Sequence, residues 1–93
     1  MAGLRVVDFT TVIAGPYCTR LLADCGAEVI KVESDTGDQI RLVPPISDDG
    51  SSYFAHLNCG KKSVVLDLRS RDGHRAALKL AASADVVVEN FRP

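Results

Sequence analysis

The sequence predicts an α/β fold, an open and mostly parallel Rossmann-like sheet with flanking helices that forms part of a domain. Three observations predict it. Short β-branched runs alternate with stretches of helical periodicity from one end of the chain to the other. The first two of these runs are joined by a helix, a connection that parallel strands require. The last run, residues 85–89, holds three consecutive valines, as a strand buried on both faces does.

Each element has a local reason. Residues 4–9 (Leu-Arg-Val-Val-Asp-Phe) are the first strand, and Thr10 and Thr11 begin the loop after it. Pro16 suits the first turn of a helix, where a missing N–H costs nothing. Tyr17, Cys18, Leu21, Leu22 and Cys25 then recur at helical spacing as an apolar face, and Gly26 ends the helix. Residues 27–33 are the second strand. Residues 34–52 carry Gly37, Pro44, Pro45 and Gly50 among several acids, an irregular excursion long enough to indicate function. A short helix capped by a serine follows over 51–57, then a turn over 58–61. Residues 63–68 are the third strand. Ser70 or Asp72 caps the next helix, which buries Ala76, Ala77, Leu80, Ala81 and Ala84.

Composition narrows the function. A formal net charge of −1 gives no field to recruit nucleic acid or an acidic membrane surface. No apolar run approaches the ~18 residues of a membrane span. The N-terminus has no basic head or long apolar middle, so a cytoplasmic location is expected. Cys18 and Cys25 stand two turns apart on one helix, roughly 10 Å by helix rise, too far for a disulfide. With no CxxC or Cys/His cluster, the three cysteines read as reduced, buried thiols and no metal site is expected.

In open α/β sheets ligands bind beyond the carboxyl ends of the strands. Those positions are 10–15, 33–41, 68–71 and 89–92. Glu33 stands where a ribose-binding acid falls in dinucleotide folds, but the loop over 10–16 has one glycine and no GxGxxG. Gly60-Lys61-Lys62-Ser63 precedes a strand rather than a helix, so it is no Walker loop. Lys61, Lys62, Arg69, Arg71 and Arg75 cluster around the third strand, as phosphate partners or as a solvated surface. His56 and His74 lack any catalytic partner at a known spacing. Glu33, Asp38, Asp67 and Glu89 are read first as capping or ion-pairing groups.

Several segments together resemble one family. These are 3–10, Ala14-Gly15-Pro16, 22–33, Gly37-Asp38 with Arg41, Tyr53-Phe54, 58–63, 66–68 and 84–93. In order and spacing they look like the N-terminal portion of the class III coenzyme A transferases, a group that includes formyl-CoA and carnitine CoA-transferases and the related 2-methylacyl-CoA racemases. The resemblance implies that residues 1–93 are the N-terminal part of a nucleotide-binding-like domain in a protein that forms an interlocked dimer. It implies transfer of coenzyme A between an acyl-CoA and a carboxylic acid, with CoA as substrate and no permanently bound cofactor. In transferase members an aspartate attacks the thioester, which divides one hard exchange into easier covalent steps. No aspartate here matches it, so no catalytic residue is assigned.

CoA contacts carried over by the resemblance are Ile13 and Ala14, then Leu66, Asp67, Leu68 and Arg69, then Asn90, Phe91 and Arg92. Some transferases have glutamine where this chain has Ile13, which argues against a formyl-CoA donor. Many members have arginine where it has Ser34, so one positive charge is missing from the nucleotide site, with Arg69, Arg71 or Arg41 as replacements. Alternatives are an inactive truncated remnant, or partner, of a full-length homologue, and a fragment of an acyl-CoA racemase.

Overall fold

A computed structural model describes residues 2–48 and 50–91. Four strands form a parallel sheet: β1 (Arg5–Asp8), β2 (Glu28–Glu33), β5 (Lys62–Val65) and β6 (Val86–Val88). Their order across the sheet is β5-β2-β1-β6. The chain steps outward from β1 to β2 to β5, then returns to the other side of β1 to place β6. This reversal makes a topological switch point beside β1, the kind of position where open α/β sheets bind ligands.

Helix α1 (Ala14–Asp24) links β1 to β2, and α3 (Arg71–Ala82) links β5 to β6. Between β2 and β5 the excursion contains a 3-10 turn (Gln39–Leu42), a two-stranded hairpin of β3 (Ile46–Ser47) and β4 (Gly50–Ser51), and α2 (Ser52–Asn58). Ser51 caps α2 by accepting from the Phe54 amide, and Ser70 caps α3 by accepting from the Gly73 amide. Of the two expected caps for α3, the serine is used. Gly26 closes α1 at φ +98°, a conformation that a side chain would resist.

Val6, Val7, Val29, Ile30 and Val32 form the buried centre of the sheet, and Leu22 and Ala23 of α1 pack on Val6, Ala27 and Val29. Three expectations about burial are corrected. The buried stripe of α1 runs through Pro16 and Thr19, not Tyr17, Cys18 and Cys25, which are exposed; Leu21 is exposed as well. The reason is polar: the Thr19 hydroxyl is drawn inward to donate to the buried carboxylate of Asp8, at 2.6 Å. Cys59 is also exposed, so none of the three thiols is buried. The valines of β6 are not covered on both faces either. Val86 and Val87 are 37% and 47% exposed; among the described residues β6 pairs only with β1 and forms an edge of the sheet.

Candidate ligand cleft at the carboxyl ends of the strands

Two adjoining clefts open at the carboxyl end of the sheet. One, of about 410 Å³, lies beyond β1, β2 and β5 and is lined by Phe9, Thr11, residues 32–38, residues 66–69 and Phe91. The other, of about 690 Å³, sits at the switch point and is lined by residues 11–14, Gln39, Asn90 and Phe91. Thr11 and Phe91 line both. The structure therefore brings eight of the nine sequence-derived site residues to one end of the sheet. Ile13, Ala14 and Asn90 line the second cleft; Leu66, Asp67, Leu68 and Arg69 line the first; Phe91 stands between them. Arg92 lies outside the described residues.

Local structure explains these placements. Gly73 sits so close to the strand-end loop that an added Cβ would fall 1.9 Å from the Asp67 carbonyl oxygen, so α3 presses directly on 66–69. Gly15 lets α1 approach β1: a Cβ there would meet Thr10 at 2.4 Å. The α1 N-cap is Ile13, with no side-chain cap. The Asn90 carboxamide accepts from the Thr11 amide at 3.2 Å and donates to the Thr11 carbonyl at 3.0 Å. Both of its polar atoms are thus used in fixing the loop after β1. Phe91 is 59% exposed and meets the Phe9 ring at 6.3 Å between centroids.

The basic residues divide. Lys61 is buried and donates to Asp8 at 2.9 Å and to Asn58 at 2.6 Å, so it is no phosphate partner. Lys62 pairs with Glu28 at the amino end of the strands. Arg41 grips both oxygens of Glu33 at 2.8 Å and lies over the Phe54 ring, which removes it as the replacement cation for the nucleotide site. Arg71 and Arg75 do not line either cleft. Among the described residues, Arg69 is the only lysine or arginine that does. His56 meets Arg20 at the surface, away from both clefts.

Beneath the clefts runs a chain of buried charges. Asp8, wholly buried, accepts from Thr10, Thr19 and Lys61. Burial pushes its carboxyl up, but those three donors outweigh burial and hold it below the ordinary value. Burial pulls the Lys61 ammonium down, only partly offset by Asp8. Lys31, also buried, pairs with Asp38 at 2.9 Å and donates to the Thr10 carbonyl at 3.0 Å. Asp38 in turn accepts from the amides of Val12 and Ile40. Glu33 accepts from Arg41, from the Asp38 amide and from Ser63, and its carboxyl falls to about 2, chiefly through Arg41. Sequence reading gave Glu33 and Asp38 their pairing roles, but missed Asp8, Thr19 and Lys31 altogether. The available signal was the lysine inside the apolar strand 28–33, a charge that needs a partner if the strand is buried.

These carboxylates are buried and saturated with donors, so none is presented to a substrate as a nucleophile. The clefts offer mixed apolar, polar and acidic walls, loop backbone and one arginine, a lining suited to binding. Among the described residues no cluster of histidine, cysteine and acids could hold a metal ion, and no helix is long and apolar enough to cross a membrane.

Comparison with known proteins decides the family. The model of CoA-transferase family III matches residues 1–93. The chain belongs to CoA-transferase family III. It is 53% identical, over 96% of its length, to succinyl-CoA:mesaconate CoA-transferase of Haloarcula hispanica. It is 44% identical, over 98% of its length, to acetyl-CoA:oxalate CoA-transferase of Acetobacter aceti. The crystal structure of a CAIB/BAIF family protein from Brucella suis superposes on 97% of the chain with a TM-score of 0.91 at 41% identity. The chain spans about 24% of each of those two transferases and 25% of the Brucella chain. The parallel sheet and the family predicted from sequence are therefore both found.

Proposed function

We propose that residues 1–93 form the N-terminal part of the nucleotide-binding-like domain of a class III CoA-transferase and supply part of its coenzyme A site. The substrates are an acyl-CoA and a carboxylic acid; CoA is consumed and passed on, not held as a resident cofactor. The protein works as a homodimer in the cytoplasm. The observation that carries this reading is the gathering of eight family-derived contact residues around two joined clefts at the switch point.

In this reading the nucleotide end of CoA lies in the cleft beyond β2 and β5. Its phosphates meet Arg69, a charge-assisted contact, beside two acids of the lining, Asp35 and Asp67, that have no ion pair among the described residues. Glu33 is neutralised by Arg41 and Asp38 by Lys31, so the acids lining that cleft repel a phosphate less than their number implies. The loop 11–14 and Phe91 flank the path toward the thioester. Bond-making belongs to an aspartate that no described residue supplies.

Calorimetry with CoA tests this on the chain itself. Binding is expected, weaker than micromolar, because only part of the pocket is present. Arg69→Ala should weaken it by about tenfold. No CoA transfer above background is expected when an acyl-CoA and a carboxylate acceptor are added. Submicromolar binding, absence of binding at millimolar CoA, or turnover by the chain alone would contradict the proposal.

A further inference from the structure

Val12 is the only non-glycine residue with positive φ among the described residues, at +73°. For a β-branched side chain this conformation is costly and persists only where its surroundings impose it. The surroundings are specific. The Val12 amide donates to both oxygens of Asp38, at 3.1 and 3.3 Å. Two residues earlier, the Thr10 carbonyl accepts from Lys31 Nζ at 3.0 Å. Lys31 and Asp38 are themselves paired at 2.9 Å, with side chains 1% and 0% exposed. One buried ion pair thus grips the loop after β1 at two points, one through each charge.

We infer that Lys31 and Asp38 are positioning residues that hold the loop over 10–14 in its cleft-facing conformation. This rests on the reading of the cleft as a CoA site only for its effect on ligand affinity; the grip on the loop stands apart from that reading. Neither side chain lies among the transferred contact residues, and Lys31 does not line either cleft. Asp38 borders the first cleft, but its carboxylate is taken up by Lys31 and by the amides of Val12 and Ile40, so the pair acts on the loop through Thr10 and Val12. A buried pair is a poor device for stability alone, since apolar residues of similar volume serve as well or better. Its placement on either side of a strained loop residue gives it a positional task.

Amide hydrogen exchange followed by NMR, with CoA titration on the same samples, tests this. In the wild-type chain the Val12 amide should be protected at least about tenfold over an open loop amide. That measurement needs no variant to fold, and an unprotected Val12 amide overturns the inference. Removing one charge alone would strand the other, so the variant of choice is Lys31→Met/Asp38→Leu, which removes both. It should lose Val12 protection while the β2 amides of Val29 and Ile30 remain protected, and CoA affinity should fall by about fivefold or more. Adding Val12→Gly relieves the left-handed cost and should restore most of that affinity. Val12 protection unchanged in the pair variant, or affinity lost and not restored by glycine, contradicts the positioning role. If wild type binds no CoA, the functional reading falls and exchange alone decides the grip.

Discussion

Asp8 shows how much one side chain commits the fold to. It stands at the end of β1, wholly buried, and satisfies Lys61, Thr10 and Thr19 at once. Asp8→Asn should leave the Lys61 ammonium buried without a counter-charge. That loss is about 3–5 kcal/mol, a large share of the ~5–15 kcal/mol that holds a domain folded. Urea unfolding of the variant measures it; a loss under 1 kcal/mol would show that Lys61 escapes to water. Glu33 makes a prediction in pH. Its folded value of about 2 lies below the ordinary 4.5, so its contribution is complete above pH 4.5 and disappears as pH falls toward 2. Partial exposure of Arg41 moderates the size, to on the order of 2 kcal/mol. Denaturant titrations between pH 5 and pH 2 (about the interval set by these two values) should show a falling midpoint, with a smaller fall in Glu33→Gln.

At the scale of elements, the loop over 66–69 is set by its neighbour. Gly73 in the first turn of α3 admits the Asp67 carbonyl where a methyl would stand. Gly73→Ala must push that backbone aside, at about 2 kcal/mol, and should weaken CoA binding together with stability. Ser70→Ala removes the cap and the hydroxyl's bond to the Asp67 carbonyl but forces no atom into that backbone; it should cost about 1 kcal/mol and lower affinity less than Gly73→Ala. Thermal melts and calorimetry on the two variants separate these outcomes. The elements themselves were legible: capping serines, Gly26 and the β-branched runs all act locally, and local chemistry is visible in a sequence. The orientation of α1 was not. Periodicity pointed to Tyr17 and Cys18, whereas the structure buries Thr19, because the partner that demands it is Asp8, eleven positions away and on a strand. The site shows the same division. Positions at strand ends follow from the fold class, so the clefts were foreseen. Which lysines are spent inside, as Lys31 and Lys61 are, depends on acids distant in sequence and could not be read along the chain.

For the whole molecule, three ion pairs join into one chain of hydrogen bonds beneath the clefts. It runs from Lys61 through Asp8, Thr10, Lys31, Asp38 and Glu33 to Arg41. The charges cancel within the chain, so Arg69 remains as the cation lining the clefts. At the other edge of the sheet, β6 exposes Val86 and Val87, and among the described residues no strand pairs with its outer side. Such an edge templates pairing with another chain. The 93-residue chain should therefore associate as its concentration rises, and Val87→Lys should suppress this in sedimentation velocity. A monomer at every concentration would show the edge to be protected. The central claim concerns where the carrier sits, and residue-resolved NMR during CoA titration reaches it most directly. The account predicts shifts concentrated at residues 11–14, 66–69 and 90–91. Shifts at the amino end of the strands, around Leu4, Ala27 and Asp85, would contradict it.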